Sequence, residues 1–181
     1  MPRRFAMVID RRLCVGCAAC VVACMNQNES FGYSRCRVTE RLTGSYPDLR
    51  LDIFSERCNH CADAPCVPVC PTGASHHSAH GLVEVNKDKC TGCRACVAAC
   101  PYDARFPGSD GIASKCDFCE PLVHRGLEPA CVAQCPTQAM VFGDINDPQS
   151  ELRSLLDSRK AQVLKPEAAT RPHIFYLEAR P

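Results

Sequence analysis

Four cysteine runs, each opening on C-x2-C, govern everything else in this sequence. The most regular is Cys90-Thr-Gly-Cys93-Arg-Ala-Cys96-Val-Ala-Ala-Cys100-Pro101, a C-x2-C-x2-C-x3-C-P spacing. Thiolates at i, i+3 and i+6 on a small-residue loop can converge on three corners of an iron–sulfur cube. The fourth, carried off on a following turn of helix, points at a neighbouring cube. One such run therefore implies a partner run. A zinc ribbon would set two C-x2-C pairs far apart and has no use for a third cysteine two residues on. Disulfides cannot usefully bridge so many near neighbours in one loop.

The other runs vary this theme. Cys14-x2-Cys17-x2-Cys20-x3-Cys24 has the same spacing but is followed by Met25 instead of proline. Cys58-x2-Cys61-x4-Cys66-x3-Cys70-Pro71 is widened by the turn Asp63-Ala64-Pro65, which can still return the third thiolate to the site. Cys116-x2-Cys119-x11-Cys131-x3-Cys135-Pro136 is stretched furthest and, read alone, could pass for zinc. Its gap, Glu120 to Ala130, predicts a short helix or a compact loop. Cys36, the seventeenth cysteine, belongs to no run and reads as a buried or surface thiol.

Between the runs the pattern predicts short elements. Phe5 to Ile9 reads as a first strand and Val21 to Asn26 as one or two helical turns. Cys36–Leu42 and Leu49–Phe54 form a hairpin across Gly44-Ser45-Tyr46-Pro47-Asp48. Ser75 to Val85 turns near His80-Gly81, and His76, His77 and His80 there suit exposed hairpin positions better than metal ligands. Ala139–Phe142 is a closing strand. Asp147-Pro148-Gln149-Ser150 starts a helix over Glu151 to Asp157, and His173 to Leu177 is a last strand in a cysteine-free tail that wraps the core or docks a partner.

Composition sharpens the reading. The hydrophobic fraction of 46% includes 17 cysteines, and without them about 37% remains, with no Trp. That is thin for a self-sufficient core, so metal sites must supply the rest and the metal-free polypeptide should be largely unfolded. The run Phe5 to Ile9 is too short for a signal sequence, and the pairs Arg3-Arg4 and Arg11-Arg12 read as solvated charges. No apolar run approaches the length needed to span a bilayer, so membrane association would require a partner. The formal charge of +1 falls to about −7 if four clusters each add about −2. Arg57, Lys89, Arg94 and Lys115 lie beside cysteines and would offset that charge, or else are ordinary solvated surface. Nothing suggests nucleic-acid binding, and there is no phosphate-binding glycine loop, dinucleotide fingerprint or nucleophile–base pair.

The segment from Cys58 to Cys100 resembles a bacterial two-cluster ferredoxin, in which the fourth cysteine of each run serves the other cluster. That resemblance implies one cluster on Cys58, Cys61, Cys66 and Cys100 and another on Cys90, Cys93, Cys96 and Cys70. The first and last runs are left as partners. The same exchange gives Cys14, Cys17, Cys20 and Cys135 to one cluster and Cys116, Cys119, Cys131 and Cys24 to another. The implied fold is α+β, two nested ferredoxin-like two-cluster units with short strands, hairpins and small helices. The outer unit is 1–57 with 101–145, the inner one 58–100, and 146–181 is a C-terminal extension.

With these residues in place, the sequence resembles the four-cluster iron–sulfur subunits of the molybdopterin oxidoreductases of the DMSO reductase family, polysulfide and thiosulfate reductase subunits above all. The likeness rests on Cys14-Val-Gly-Cys-Ala-Ala-Cys20, Pro65-Cys-Val-Pro-Val-Cys-Pro-Thr-Gly-Ala74, Cys100-Pro-Tyr-Asp-Ala104 and the wide last run. Some relatives replace a cysteine of the third run and carry a three-iron cluster; here all are present. The resemblance implies four [4Fe-4S] clusters and no catalytic residue. It implies electron transfer between a molybdopterin catalytic subunit and an integral membrane quinone-reactive subunit. The location would be peripheral, on the periplasmic face by export with a partner, with the cytoplasm as the alternative. A cytoplasmic polyferredoxin-like subunit of a formate dehydrogenase or hydrogenase complex is the alternative function, and a structural zinc or disulfide protein the alternative of another class.

Overall fold

The computed structural model describes residues 3–30 and 32–178. Positions 1, 2 and 31 of the expected outer unit and 179–181 of the expected extension lie outside the described residues. Strand β1 (Phe5–Asp10) leads into the first cysteine loop and α1 (Ala19–Gln27). The antiparallel hairpin of β2 (Cys36–Thr43) and β3 (Arg50–Arg57) follows, in register from Cys36 opposite Arg57 to Thr43 opposite Arg50. Then come a small ribbon of β4 (Ser75–His77) and β5 (Val83–Val85), the one-turn helix α2 (Ala95–Ala98), and a second ribbon of β6 (Phe106–Pro107) and β7 (Ala113–Ser114). The wide gap of the last run folds as the short helix α3 (Glu120–Val123) and a loop that leads into α4 (Ala130–Ala133). The fold closes with β8 (Met140–Asp144), α5 (Glu151–Ser158), β9 (Ala161–Gln162) and β10 (Ile174–Leu177). The architecture is α+β.

The cysteine-free tail supplies part of the main sheet, whose strand order is β8-β1-β10-β9. β1 runs antiparallel to β8, with Phe5 opposite Asp144, and parallel to β10, with Met7 opposite Ile174. A central strand is covered on both faces and reads as a continuous apolar run, as Phe5 to Ile9 does. Side chains alternate along it. Met7 and Ile9 point into the cysteine-rich core with Phe54, Phe118 and Tyr176, while Ala6 and Val8 pack with Leu152 of α5 and Leu177 on the other side. Ser150 starts α5, its Oγ accepting the Arg153 N–H at 3.1 Å, as an N-cap serine should.

Asp10 ties the end of β1 to the tail. Burial alone would raise its carboxyl, but hydrogen bonds from Arg12 and from Arg159, at 2.7 Å, hold it below the ordinary carboxylate value. Phe54 anchors the β2–β3 hairpin edge-on against Tyr176, with ring centroids 5.4 Å apart, and Arg11 lies over the Phe54 ring while pairing with Asp52 at 2.8 Å. The other end of the hairpin, with Leu42, Tyr46, Leu49 and Leu51, is exposed. Among the described residues no helix is long and apolar enough to cross a membrane.

Candidate metal centres

Each C-x2-C pair is shaped by one left-handed residue just before its second cysteine. Gly16 (φ 71°), His60 (φ 44°), Gly92 (φ 68°) and Phe118 (φ 57°) occupy this position in the four runs. The conformation costs little for glycine and more for histidine or phenylalanine, so the latter two need support from packing. They support each other: both are fully buried, and their rings stack with centroids 4.1 Å apart. His60 Nδ1 also accepts the Val83 N–H at 3.1 Å. The twist turns backbone N–H groups toward sulfur, as where Phe118 N–H reaches Cys116 Sγ at 3.5 Å.

The fourth cysteines follow a second rule. In three runs proline comes next and a left-handed residue stands three positions after the cysteine: Gly73 (φ 64°), Asp103 (φ 51°) and Gln138 (φ 52°). Proline cannot continue a helix, so the backbone turns back over the sulfur. Ser75 N–H then lies 3.4 Å from Cys70 Sγ and Ala139 N–H 3.3 Å from Cys135 Sγ, while Thr72 and Thr137 set their hydroxyls at 3.6 and 3.7 Å. The Ser75 N–H bond leads the influences that hold the Cys70 thiol down to about 7. The first run has Met25 in place of proline, and there α1 runs on to Gln27. Asn28 caps it, donating to the Cys24 carbonyl at 2.8 Å and approaching Cys24 Sγ at 3.6 Å.

The thiols gather in sets of four. Cys14, Cys17, Cys20 and Cys135 line one cavity. Cys24, Cys116, Cys119 and Cys131 line a second, and Cys70, Cys90, Cys93 and Cys96 a third. Cys58, Cys61, Cys66 and Cys100 are linked through their effect on one thiol: burial pushes Cys61 up to about 12 against a hydrogen bond with Thr170, and the charges of Cys58, Cys66 and Cys100 add to it. Every set combines three cysteines of one run with the fourth of another. Among the described residues no three Cys, His, Asp or Glu side chains converge on a point as they would around a single ion. The donor set of four thiols spaced around a volume fits a cubane cluster better than tetrahedral zinc, whose ligands stand about 2.3 Å from one centre.

The remaining sequence candidates divide. His76 is half-buried beside Glu84 at 3.8 Å, His77 is exposed, and His80 packs against Phe5 with centroids 5.8 Å apart. Lys89 and Arg94 are exposed, as a solvated surface would have them, but Arg57 and Lys115 are buried. Cys36 is buried too, and its thiol donates to the Cys20 carbonyl at 3.3 Å. Hydrogen bonding with Cys36 leads the influences that hold Cys20 down to about 5 and Cys24 to about 6. Sequence reasoning missed Ser55, Thr72, Thr137 and Arg105. The repeated Cys-Pro-Thr at 70–72 and 135–137 was a signal for the two threonines; nothing local marks Ser55 or Arg105.

Comparison with known proteins agrees with this chemistry. The 4Fe-4S dicluster domain matches residues 13–74 and, in a second version, residues 49–145. This protein belongs to the 4Fe-4S dicluster family. It carries four [4Fe-4S] clusters and is an iron–sulfur electron-transfer subunit. It is 44% identical over 178 residues to protein NrfC of Escherichia coli K12, covering 95% of this sequence and 79% of that one. It is 43% identical over 184 residues to a tetrathionate reductase subunit of Salmonella typhimurium, covering 97% and 73%. With a polysulfide reductase chain of Wolinella succinogenes it shares 40% identity over 180 residues, covering 97% and 94%.

Proposed function

We propose that the protein relays electrons along four [4Fe-4S] clusters held by Cys14, Cys17, Cys20 and Cys135; by Cys24, Cys116, Cys119 and Cys131; by Cys58, Cys61, Cys66 and Cys100; and by Cys70, Cys90, Cys93 and Cys96. When bound, each cluster supplies a one-electron redox centre. The observation that carries this reading is the lining of three cavities, each by four cysteines of two runs that lie far apart in sequence, with Cys36 beside them in the second. Two nested units follow from it, 1–57 with 101–145 outside and 58–100 inside, with 146–181 as an extension.

The linking segments support an order. α1 carries Cys20 to the first set and Cys24 to the second, and α4 carries Cys131, with Cys135 just past its end, across the same gap. Four residues advance a helix by about 6 Å, so these two sets are neighbours. Cys66 with Cys70 and Cys96 with Cys100, each pair four residues apart, link the third and fourth sets. Arg57, which bonds Cys131 of the second set, precedes Cys58 of the third in sequence. The exposed cysteines are Cys17 and Cys93, one in each terminal set. Leu13, Val15 and Val22 are exposed around Cys17, as suits a docking face.

The partners on this reading are a molybdopterin catalytic subunit, which relatives named as reductase subunits support, and an integral membrane quinone-reactive subunit. The protein then sits peripherally on the periplasmic face of the membrane. The test of the ligand sets is Cys135→Ala, examined by iron and sulfide analysis and cluster-resolved EPR on anaerobic protein. About a quarter of the iron should go. The missing signal should be the one lost in Cys17→Ala. Loss of the signal missing in Cys119→Ala would refute the crossed assignment.

A further inference from the structure

Three cations lie inside the protein with no carboxylate partner among the described residues. Arg57, Arg105 and Lys115 are 2%, 3% and 4% exposed. The ion pairs with carboxylates fall on other cations. Burying a charge without a counter-charge is costly. What these three meet instead are groups in or beside the cysteine loops.

Arg57 Nη1 donates to Cys131 Sγ at 2.8 Å. Its Nη2 donates to Ser55 Oγ, and that oxygen lies 3.5 Å from Cys20 Sγ, so one guanidinium touches the second set directly and the first through a hydroxyl. Its Nε has no partner among the described residues. Lys115 donates from Nζ to the Cys116 carbonyl at 2.7 Å, in the second set. Arg105 Nη2 donates to Ser75 Oγ at 2.8 Å, while Nε and Nη1 are unpartnered among the described residues. Ser75 in turn donates its backbone N–H to Cys70 Sγ of the fourth set at 3.4 Å. Arg57 thus stands between the second set, which it touches, and the first, which it reaches through Ser55, while Lys115 lies against Cys116 of the second set and Arg105 reaches Cys70 of the fourth through Ser75.

We propose that Arg57, Lys115 and Arg105 are positioning residues of the relay, each raising the reduction potential of the clusters it faces: Arg57 those of the first and second sets, Lys115 that of the second, and Arg105 that of the fourth. The proposal rests on the ligand sets given above. Reduction brings in one electron from the donor and passes it to the next centre; no bond forms or breaks. A fixed buried cation therefore acts through Coulomb attraction, favouring the more negative, reduced form, and low dielectric keeps that attraction strong. Arg57, shared between neighbours, shifts both together. Exposed Lys89 and Arg94 act far less, because solvent and salt screen them.

The test is an anaerobic redox titration of holoprotein, read by EPR, for Arg57→Gln, Lys115→Gln and Arg105→Gln beside the charge-keeping Arg57→Lys, Lys115→Arg and Arg105→Lys. Each Gln variant should lower the reduction equilibrium constant of the clusters that cation faces by at least about tenfold, which is about 59 mV for a one-electron couple. The other clusters, and all four in the charge-keeping variants, should stay within about threefold of wild type. No shift, an equal shift of all four, or an equal shift in the charge-keeping variant overturns the proposal. If Arg57→Gln sheds iron, Arg57→Lys decides: wild-type potentials sustain the proposal, and iron loss there makes the residue scaffold alone and overturns it. The two failures are distinguishable. A wrong grouping in the cysteine variants refutes the ligand sets, whereas four clusters with unmoved potentials refute only the role of the cations.

Discussion

Gly92 and Gly73 both adopt positive φ, yet the space around them differs. A Cβ on Gly92 would meet the Gly111 carbonyl oxygen at 2.8 Å, whereas nothing lies within 4 Å of one on Gly73. Gly92→Ala should therefore cost about 2–3 kcal/mol, strain plus a backbone clash, and Gly73→Ala only about 1 kcal/mol. Thermal unfolding of the two holoproteins should rank them in that order, with the Gly92 variant also losing iron from the set of Cys90, Cys93 and Cys96. Cys36 presents the opposite case, a buried cysteine whose loss should matter little to metal content. It lines the cavity of the second set, where four other thiols already stand. Cys36→Ser should keep the full iron and sulfide complement and lose about 1 kcal/mol, the worth of one hydrogen bond and a small cavity. An iron deficit of about a quarter would make Cys36 a ligand instead. The spacing of the cysteines was legible because ligand geometry acts over a few residues of loop. Arg57 was legible only as a charge next to Cys58, since its bond to Cys131 spans 74 positions.

At the scale of elements, the same distinction holds between local and distant causes. β1, the β2–β3 hairpin and α5 announce themselves through apolar period, turn chemistry and a serine cap. The two-residue strands β6, β7 and β9 do not, because two residues carry no period. The parallel pairing of β10 with β1 joins the two ends of the sequence, and no local signal encodes it. The departure of the first run from the proline rule is legible and has a consequence. With Met25 instead of proline, α1 continues past Cys24 and brings Asn28 back onto its carbonyl and sulfur. Met25→Pro would impose the ending used by the other runs, remove one helical hydrogen bond and displace that cap. The expected cost is about 3 kcal/mol, measured as a lowered unfolding midpoint with reduced helical ellipticity. An unchanged midpoint would mean that the last turn of α1 contributes nothing to the site.

Across the whole molecule, the core and the cofactor sites are one object. Nine of the twenty-two buried residues in the main core cluster, among the described residues, are cysteines, and eight of those belong to the runs. The cysteine-free cluster on the far side of the sheet has only Ala6, Val8, Leu152 and Leu177 fully buried, too little to hold a domain by itself. Removing iron and sulfide would also leave Arg57, Arg105 and Lys115 buried beside thiols that need not stay ionised, at a cost of several kcal/mol each. Cluster binding free energy is therefore folding free energy. Anaerobic chelation under mild oxidation should make visible absorbance and far-ultraviolet ellipticity fall together in one transition. Iron with sulfide and thiol, not buffer exchange, should restore both. A stripped polypeptide that kept a cooperative thermal transition near that of the holoprotein would show that the strands and α5 suffice without the metal. The thin apolar content of the sequence argues against that outcome.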